Sequence, residues 1–296
     1  MESGKQNSSL SHEPLVSIII PTKNSSKTLK LTLQSVANQT YSNYEVIIVD
    51  NYSTDNTLEL ARQYTTKVYI EAPERSAQVN FGIRKAKGKY IYEIGSDFVL
   101  EPNVIEEAVR KCELEGCDAL TIHNTSDQTI SFWAKVRKFE RDMYLEDKLN
   151  VAARFIRKDI FDKVGYFDED MVASEDYDLH NRIVDAGYIV GTITAKEVHI
   201  GEPKTIMEII RKHYYYGTTL PQFLAKNPKK GMKQLSPLRP AYARHWKLFF
   251  RHPVITMGFL IYQIVRYSSA VFGYTTVKAS KIRHSVQKRK SYSFLL

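Results

Sequence analysis

The sequence predicts an α/β fold in which a mainly parallel sheet is flanked by helices and followed by a basic helical extension. Short runs of aliphatic and β-branched residues alternate with helix-patterned segments over the first two thirds of the chain. The apolar runs are nearly continuous, as expected for strands that are buried on both faces. The 296 residues are enough for one such domain and an appendage.

The first strand is predicted over Val16–Ile20 and is followed by Pro21-Thr22-Lys23-Asn24. A helix over 28–38 and a second strand over 44–49 complete a βαβ unit. The alternation continues with helices over 55–64, 77–85 and 103–115 and with strands over 67–70, 90–94 and 119–123. Ligands of such sheets bind beyond the carboxyl ends of the strands, so one crevice is expected between the loops 21–24, 50–53 and 95–98.

Beyond residue 124 the pattern is looser. It predicts a helix over 133–149, a strand over 151–156, a helix over 174–186 and a strand over 189–194. The chain contains neither a Gly-x-Gly-x-x-Gly after its first strand nor a Gly-x-x-x-x-Gly-Lys-Ser/Thr motif. Dinucleotide dehydrogenases and P-loop NTPases are therefore disfavoured.

The charge is divided unevenly along the chain. Residues 203–296 hold 18 of the 42 lysines and arginines but one acid, Glu208, so this segment carries +17 and the remainder −8. A basic segment of this kind is expected to meet lipid headgroups or nucleic acid, unless it is simply a solvated face. We predict four parts: a disordered tail over 1–13, a catalytic domain over 14–202, a basic helical segment over 203–252, and an apolar helical region with a basic tail over 253–296.

The apolar stretch 253–274 is interrupted by Gln263 and Arg266 and is followed by a basic flank over 278–290. It is compatible with a tilted membrane span, a re-entrant hairpin, an interfacial helix, or a helix packed on the soluble core. The polar start of the chain has no apolar leader, and the two cysteines form no metal-site pattern. We therefore expect the catalytic part to lie at the cytoplasmic face of the membrane.

Several polar residues in the predicted crevice suit nucleotide binding. Asp50 and Asn51, just beyond the second strand, are candidates to hydrogen-bond a base or ribose, whereas Asp55 is more typical of a helix N-cap. Arg75 precedes a helix whose first amides, together with the guanidinium, suit a diphosphate. The alternative is a surface ion pair of Arg75 with Glu74 or Glu71.

Six motifs in order resemble the family 2 glycosyltransferases of GT-A fold, from about Val16 to Gly201. They are Ile18-Ile-Ile-Pro-Thr-Lys-Asn24, Gln39-Thr40, Val49-Asp-Asn-Tyr-Ser-Thr-Asp55, Glu74-Arg-Ser-Ala-Gln-Val-Asn80, Asp97 and Ser174-Glu-Asp176. The resemblance implies an inverting hexosyltransferase that uses a nucleotide diphosphate sugar. It places donor binding at Pro21, Thr22, Asn24, Asp50, Asn51, Arg75, Asn80 and Ser96.

The resemblance also implies a divalent cation, Mn²⁺ or Mg²⁺. Ile94-Gly-Ser-Asp97 stands where the family has an Asp-x-Asp motif, with Gly95 in place of the first Asp. Asp97 is the expected metal ligand, and His199 is a candidate for the second ligand, although a lone histidine is often structural.

Asp176 matches the family's catalytic base, and Glu175 is expected to orient the acceptor or to brace a loop. The implied reaction is one in-line displacement of a UDP- or GDP-type leaving group by a lipid-linked or glycan acceptor, in cell-envelope glycan synthesis near anionic lipids. Gly95 leaves open a catalytically inactive relative that binds a sugar nucleotide, or serves as a scaffold for a partner, without turnover. Nucleic-acid binding is disfavoured because the chain has no zinc finger or RNA-binding signature.

Overall fold

The computed structural model of the chain describes residues 13–71, 74–145 and 147–293. Apart from Glu13, the predicted disordered tail lies outside the described residues. The strands are β1 (Val16–Thr22), β2 (Tyr44–Asp50), β3 (Val68–Ile70), β4 (Tyr90–Glu93), β5 (Phe98–Leu100), β6 (Ala119–Ser126), β7 (Ala153–Arg157) and β8 (Val190–His199).

The helices follow the strands in the predicted alternation and then form a helical C-terminal part. They are α1 (Ser26–Ala37), α2 (Thr57–Arg62), α3 (Arg75–Lys85), α4 (Val104–Glu115), α5 (Phe132–Asp142), α6 (Asp159–Val164), α7 (Glu175–Asp185), α8 (Ile206–Gly217), α9 (Leu220–Lys226), α10 (Pro228–Gln234), α11 (Pro240–Arg244), α12 (Trp246–Arg251) and α13 (Pro253–Ser293).

The strands form one mixed sheet in the order β3-β2-β1-β4-β7-β6-β8-β5. Strands β3, β2, β1 and β4 are parallel to one another, as predicted from their buried apolar runs. Strand β7 is antiparallel to both of its neighbours, β8 is parallel to β6, and β5 is antiparallel to β8. The carboxyl ends of β1, β2 and β4 therefore share one edge of the sheet.

Both faces of the sheet are covered, which explains why β1 and β2 are apolar at consecutive positions. On one face, Ile18, Ile20 and Ile48 pack with Leu33 of α1 and with residues of α4. On the other face, the core continues through residues of α3, α6 and α7, namely Val79, Ile83, Ile160, Phe161, Leu179 and Ile183. Alternate residues of one strand thus belong to two separate cores.

Most predicted boundaries are displaced by one to three residues, and two differ by more. The helix expected over 133–149 ends at Asp142, and the chain then turns at Asp147, whose Oδ1 accepts hydrogen bonds from the amides of Leu149 and Asn150. The strand expected to end at residue 194 continues to His199, because β5 pairs with its last residues. Strand β5 and helix α6 are short elements that the sequence pattern did not predict.

The C-terminal helices pack on α5. Their shared core contains Val136 of α5, Met143 just after that helix, Ile209 of α8, Ala241 of α11, and Phe259 and Tyr262 of α13. One helical stretch among the described residues, Pro253–Val277, is long and apolar enough to cross a membrane by length and composition. One of its faces is nevertheless occupied by contacts with α5 and α8.

Candidate active site

The loops that follow β1 and β2 are held together by Asp50. This carboxylate is completely buried, and its Oδ2 accepts hydrogen bonds from Thr22 Oγ1 at 2.7 Å and from Ser53 Oγ at 2.6 Å. Its Oδ1 accepts the amide of Ser53 at 2.7 Å. The structure thus gives both Thr22 and Asp50 a role in shaping the crevice, and the neighbouring Asn51 is fixed by a backbone hydrogen bond to the Thr22 carbonyl.

Two residues beside Asp50 adopt left-handed backbone conformations. Asn24 has φ 48° and its Oδ1 accepts the amide of Thr54 at 2.8 Å, while its own amide donates to Ser53 Oγ at 2.7 Å. Tyr52 has φ 51°, and its side chain is two-thirds exposed at the edge of the crevice. Non-glycine residues in this region cost about 1 kcal/mol or more and occur preferentially at functional sites. The sequence analysis did not single out Tyr52.

Further hydrogen bonds close the floor of the crevice. Gln78 is buried, and its Nε2 donates to the carbonyl oxygens of Thr22 and Val49, which ties the ends of β1 and β2 to α3. Ser96 Oγ donates to Ser25 Oγ at 2.8 Å and so joins the third loop to the first. Pro21 is buried in β1. The predicted crevice residues of these three loops are therefore neighbours in space.

Asp55 was predicted as a helix N-cap, but the N-cap of α2 is Asn56 and Asp55 lies one residue before it. Its carboxylate nevertheless reaches the first residues of two helices. Its Oδ1 accepts the amide and hydroxyl of Thr57, and its Oδ2 accepts the amide of Ser26 at the start of α1. The hydrogen bonds from Thr57 and Ser26 lower the pKa of Asp55 to about 2. Its carboxylate thus fixes the first turns of α1 and α2.

Asn80 is placed away from these loops. Its Nδ2 donates to the Phe167 carbonyl and to Glu169, both at 2.8 Å, and its Oδ1 accepts the Phe167 amide. It lines a groove of about 740 Å³ that is formed mainly by residues of α3, α7 and α9 and by the loop before α7. In the structure, the amide of Asn80 holds the loop that leads toward α7.

Arg75 connects the crevice to α7. It is the first residue of α3, and its guanidinium lies 2.5 Å from Glu93 Oε1 at the end of β4 and 2.6 Å from Glu175 Oε1. The alternative pairing with Glu74 or Glu71 is not what the structure shows, since Glu74 accepts hydrogen bonds from Tyr215 of α8. The sequence analysis missed Glu93. The signal that could have identified it is an acid within an otherwise apolar strand.

Glu175 and Asp176 begin α7 after a left-handed residue, Ser174, with φ 66°. Glu175 is buried, and burial raises its pKa to about 7. The charge of Arg75 opposes this rise, and the charge of the neighbouring Asp176 adds to it. Asp176 is half-buried and accepts the amide of Tyr177 at 2.8 Å. Of the two acids, Asp176 presents the more accessible carboxylate.

Asp97 and His199 face each other beside the third loop. Strands β5 and β8 pair Phe98 with His199, and this register sets His199 Nε2 3.2 Å from Asp97 Oδ2. Burial alone would raise the pKa of Asp97, but the hydrogen bond and charge of His199 outweigh it and hold that pKa below its ordinary value. The predicted pair of metal ligands is thus adjacent in space.

A buried acid, Glu202, lies behind His199. Its Oε1 is 3.0 Å from His199 Nδ1, 3.0 Å from Arg141 NH2 and 2.6 Å from the Ser126 hydroxyl. Burial opposes ionisation of Glu202, but the charge of Arg141 and the His199 contact dominate and lower its pKa well below the ordinary value. The sequence analysis missed Glu202; its only signal was an acid three residues after a histidine at a strand end.

This arrangement fits a two-ligand cation site. A proton on Nε2 would join His199 to Asp97 at the observed 3.2 Å, and a divalent cation could take the place of that proton while Nδ1, 3.0 Å from Glu202, keeps its own. Nε2 and the Asp97 carboxylate would then be two ligands of the cation. Among the described residues, no group of three or more His, Cys, Asp or Glu side chains is arranged to hold a metal. Further ligands of such a cation would have to be groups other than described His, Cys, Asp or Glu side chains.

The comparisons with known proteins agree with this architecture. The family model described as "Glycosyl transferase family 2" matches residues 17–164, which is half of the chain. The chain belongs to this family. The resemblance inferred from the six motifs is therefore confirmed, and the chain is a glycosyltransferase by family.

Relatives match over much of the chain. The uncharacterized glycosyltransferase RT0329 of Rickettsia typhi is 25% identical over 96% of this chain and 94% of its own length. Glycosyltransferase AglE of Haloferax volcanii is 26% identical over 69% of this chain and 72% of its own length.

Solved structures confirm the fold class. The mannosyltransferase PcManGT from Pyrobaculum calidifontis, in complex with GDP-Man and Mn²⁺, covers 94% of this chain and 81% of its own with a TM-score of 0.58 and 16% identity. S. aureus TarS 1–349 in complex with UDP-GlcNAc covers 91% of this chain and 92% of its own with a TM-score of 0.53 and 16% identity. The predicted GT-A fold is thus confirmed, with a mixed sheet.

Proposed function

We propose that the protein transfers a hexose from a UDP- or GDP-type sugar nucleotide to a hydroxyl or phosphate acceptor with inversion at the anomeric carbon. One observation carries the proposal. Arg75 pairs at once with Glu93 at the end of β4 and with Glu175, so the helix that bears Asp176 is fixed beside the strand-end crevice. A donor in the crevice would therefore lie next to a carboxylate able to accept a proton.

The donor nucleotide would occupy the crevice between the loops after β1, β2 and β4. Because the side chains of Thr22, Asn24 and Asp50 are engaged in loop contacts, we expect the loop backbone to meet the nucleoside. The exposed ring of Tyr52 offers a stacking surface at the same edge. Structural relatives have been solved with UDP, UDP-GlcNAc and GDP-Man, which supports a nucleoside diphosphate sugar as the donor class.

Asp97 and His199 would hold a Mn²⁺ or Mg²⁺ ion, and Glu202 would keep the histidine in the metal-binding tautomer. A cation bound there would offset negative charge on the donor diphosphate. Gly95 supplies no carboxylate where the family motif has an acid, so Asp97 would be the one acidic ligand from that motif.

Asp176 would act as the general base of a single displacement. It would take the proton of the acceptor oxygen while that oxygen forms a bond to the anomeric carbon, and the bond to the nucleoside diphosphate would break on the opposite side. Glu175 and Glu93 hold Arg75 in place, and its guanidinium, still about one third exposed, would face the departing diphosphate.

The acceptor would be a lipid-linked or growing glycan at the cytoplasmic face of the membrane. The +17 charge of residues 203–296 supports a location near anionic lipids. The apolar helix Pro253–Val277 supports the same location by its length and composition.

Asp176→Asn tests the role of the base without knowledge of the acceptor. Binding of UDP and GDP is measured by calorimetry with Mn²⁺ and then with EDTA, and slow donor hydrolysis is followed by release of nucleoside diphosphate. We expect nucleotide affinity to remain near that of the wild type and hydrolysis to fall by about 10²–10⁴-fold, because an amide cannot accept the proton.

The matched control is Asp170→Asn, which makes the same change at an exposed acid nearby and should leave hydrolysis unchanged. The anomeric configuration of the released sugar, read by NMR, should be inverted. Equal hydrolysis by wild type and Asp176→Asn would remove Asp176 from the mechanism. Binding of a nucleotide without any turnover in the wild type would favour the inactive relative.

A further inference from the structure

Helix α13 is apolar on two opposite faces between Pro253 and Val277. The first face packs on α5 and α8 and contains buried residues at helical spacing: Gly258, Phe259, Tyr262, Ser269 and Gly273. The crossing with α8 is very close, because a Cβ atom on Gly273 would lie 2.1 Å from the Tyr214 carbonyl oxygen and one on Gly217 would lie 2.1 Å from that of Ala270. This face is an interface within the chain.

The polar residues that interrupt the apolar stretch point into the same interface. Arg266 NH1 lies 2.9 Å from Glu140 Oε1, and Gln263 Nε2 donates to the same oxygen at 3.2 Å. Glu140 is completely buried and also pairs with Arg137 of α5. Arg266, whose charge would be the most costly in a bilayer interior, is therefore paired with the catalytic domain, and the Gln263 amide nitrogen is hydrogen-bonded to the same carboxylate.

The opposite face of α13 carries large apolar side chains that remain substantially exposed. The exposed fractions of these side chains and of two aromatic side chains on the preceding helix α12 are between 40 and 78%: Trp246 and Phe250 of α12, and Val254, Met257, Leu260, Ile261, Ile264, Val271 and Phe272 of α13. We call this set the outer stripe. A contiguous exposed apolar surface of this kind marks an interaction site.

Basic residues flank the outer stripe at both ends. Lys247 and Arg251 are exposed on α12, and the sequence beyond the stripe has six lysines and arginines and no acid over residues 278–290. Apolar side chains flanked by positive charge are complementary to a bilayer surface that contains anionic lipids. The +17 charge of the C-terminal part makes association of two such surfaces unfavourable, so a second copy is a poorer partner.

We infer that α12 and the first part of α13 lie in the plane of an anionic membrane surface, with the outer stripe among the lipids and the inner face still packed on the catalytic domain. A spanning orientation would have to pull Arg266 and Gln263 away from Glu140. The inference rests on the membrane location advanced above, but not on the transfer chemistry. It also sets the site near the lipid surface, because Tyr215 of α8 contacts Glu74 at the start of α3.

Vesicle binding of the full chain tests the surface. Binding to phosphatidylcholine vesicles with and without phosphatidylglycerol is compared for wild type and Ile264→Glu. The control is Ile189→Glu, an equally apolar and exposed site at the amino edge of the sheet. We expect Ile264→Glu to weaken binding to the anionic vesicles by about tenfold or more and the control to bind as the wild type does. Unchanged binding by Ile264→Glu overturns the inference.

The orientation is tested with an epitope after Leu296 in sealed vesicles that carry the catalytic domain outside. External protease should remove the epitope, and a protected epitope would show a span and overturn the inference. Sedimentation without lipid tests a second copy of the chain as the partner. A wild-type dimer that Ile264→Glu converts to a monomer would assign the outer stripe to self-association and overturn the inference. Calorimetric nucleotide binding by the same proteins separates the two proposals, since failure of the membrane inference leaves nucleotide binding intact.

Discussion

Arg266→Met should destabilise the folded protein by about 3 kcal/mol, because it removes one partner of a buried ion pair. Glu140 is completely buried and keeps Arg137 as a second partner, which places the loss at the lower end of the range of about 3–5 kcal/mol for such changes. Methionine fills much of the space of the arginine stem, so little of the loss should come from a cavity.

The assay is urea unfolding followed by tryptophan fluorescence. Both tryptophans of the chain lie in this region, and the Trp133 ring of α5 is 6.3 Å from the Tyr262 ring of α13, so the signal reports the docking of α13 directly. The midpoint should fall without a change in slope. Arg251→Met, a change at an exposed arginine of α12, should shift stability by less than about 0.5 kcal/mol.

A double-mutant cycle separates the ion pair from the two side chains. Glu140→Gln and Arg266→Met should each destabilise the protein, whereas the double mutant should be more stable than the sum predicts by about 1–3 kcal/mol, since neither charge is then left buried alone. Additive effects of the two changes would show that the pair does not hold α13 on the domain. That result would remove the main argument against a spanning helix.

Two further predictions concern the site. Burial and Asp176 raise the pKa of Glu175 to about 7, above its unfolded value, so its contribution to stability is complete at low pH and is lost as the pH rises through 7. Between about pH 5 and pH 8.5 the wild type should therefore lose about 2 kcal/mol of unfolding free energy relative to Glu175→Gln. Parallel pH profiles of urea stability for the two proteins would contradict this. Glu202→Gln should weaken Mn²⁺-dependent nucleotide binding by about 10-fold or more, and Asp97→Asn should weaken it by a larger factor. Binding is measured by calorimetry, with EDTA as the blank. A Glu202→Gln protein with wild-type metal dependence would show that Glu202 does not position His199.

The parallel half of the fold could be predicted because its signals are local. Strands β1 and β2 are buried on both faces, so their apolar runs stand out from the amphipathic helices between them. Strand β5 has three residues and no pattern of its own; it is defined by pairing with β8, about a hundred residues later. Its position is a consequence of tertiary structure.

The site shows the same division between local and distant information. Acids and amides at strand ends could be identified as crevice residues, but their partners could not. Arg75 is paired with Glu175 a hundred positions away, and the buried Glu202 became identifiable only when β8 had placed His199 against Asp97. A sequence gives the residue types at strand ends, whereas hydrogen-bond partners depend on how distant strands are registered.

The paired side chains form one continuous path from the crevice to α13. Its successive contacts join Asp97, His199, Glu202, Arg137, Glu140 and Arg266. Loss of Arg266 removes the last contact, whereas Glu202 keeps Arg141 and Ser126 as partners, so His199 should stay in position. Stability and metal-dependent nucleotide binding should therefore respond differently to Arg266→Met. The crevice and α13 belong to one packed body, and the orientation of α13 on a bilayer therefore sets the direction in which the crevice faces it.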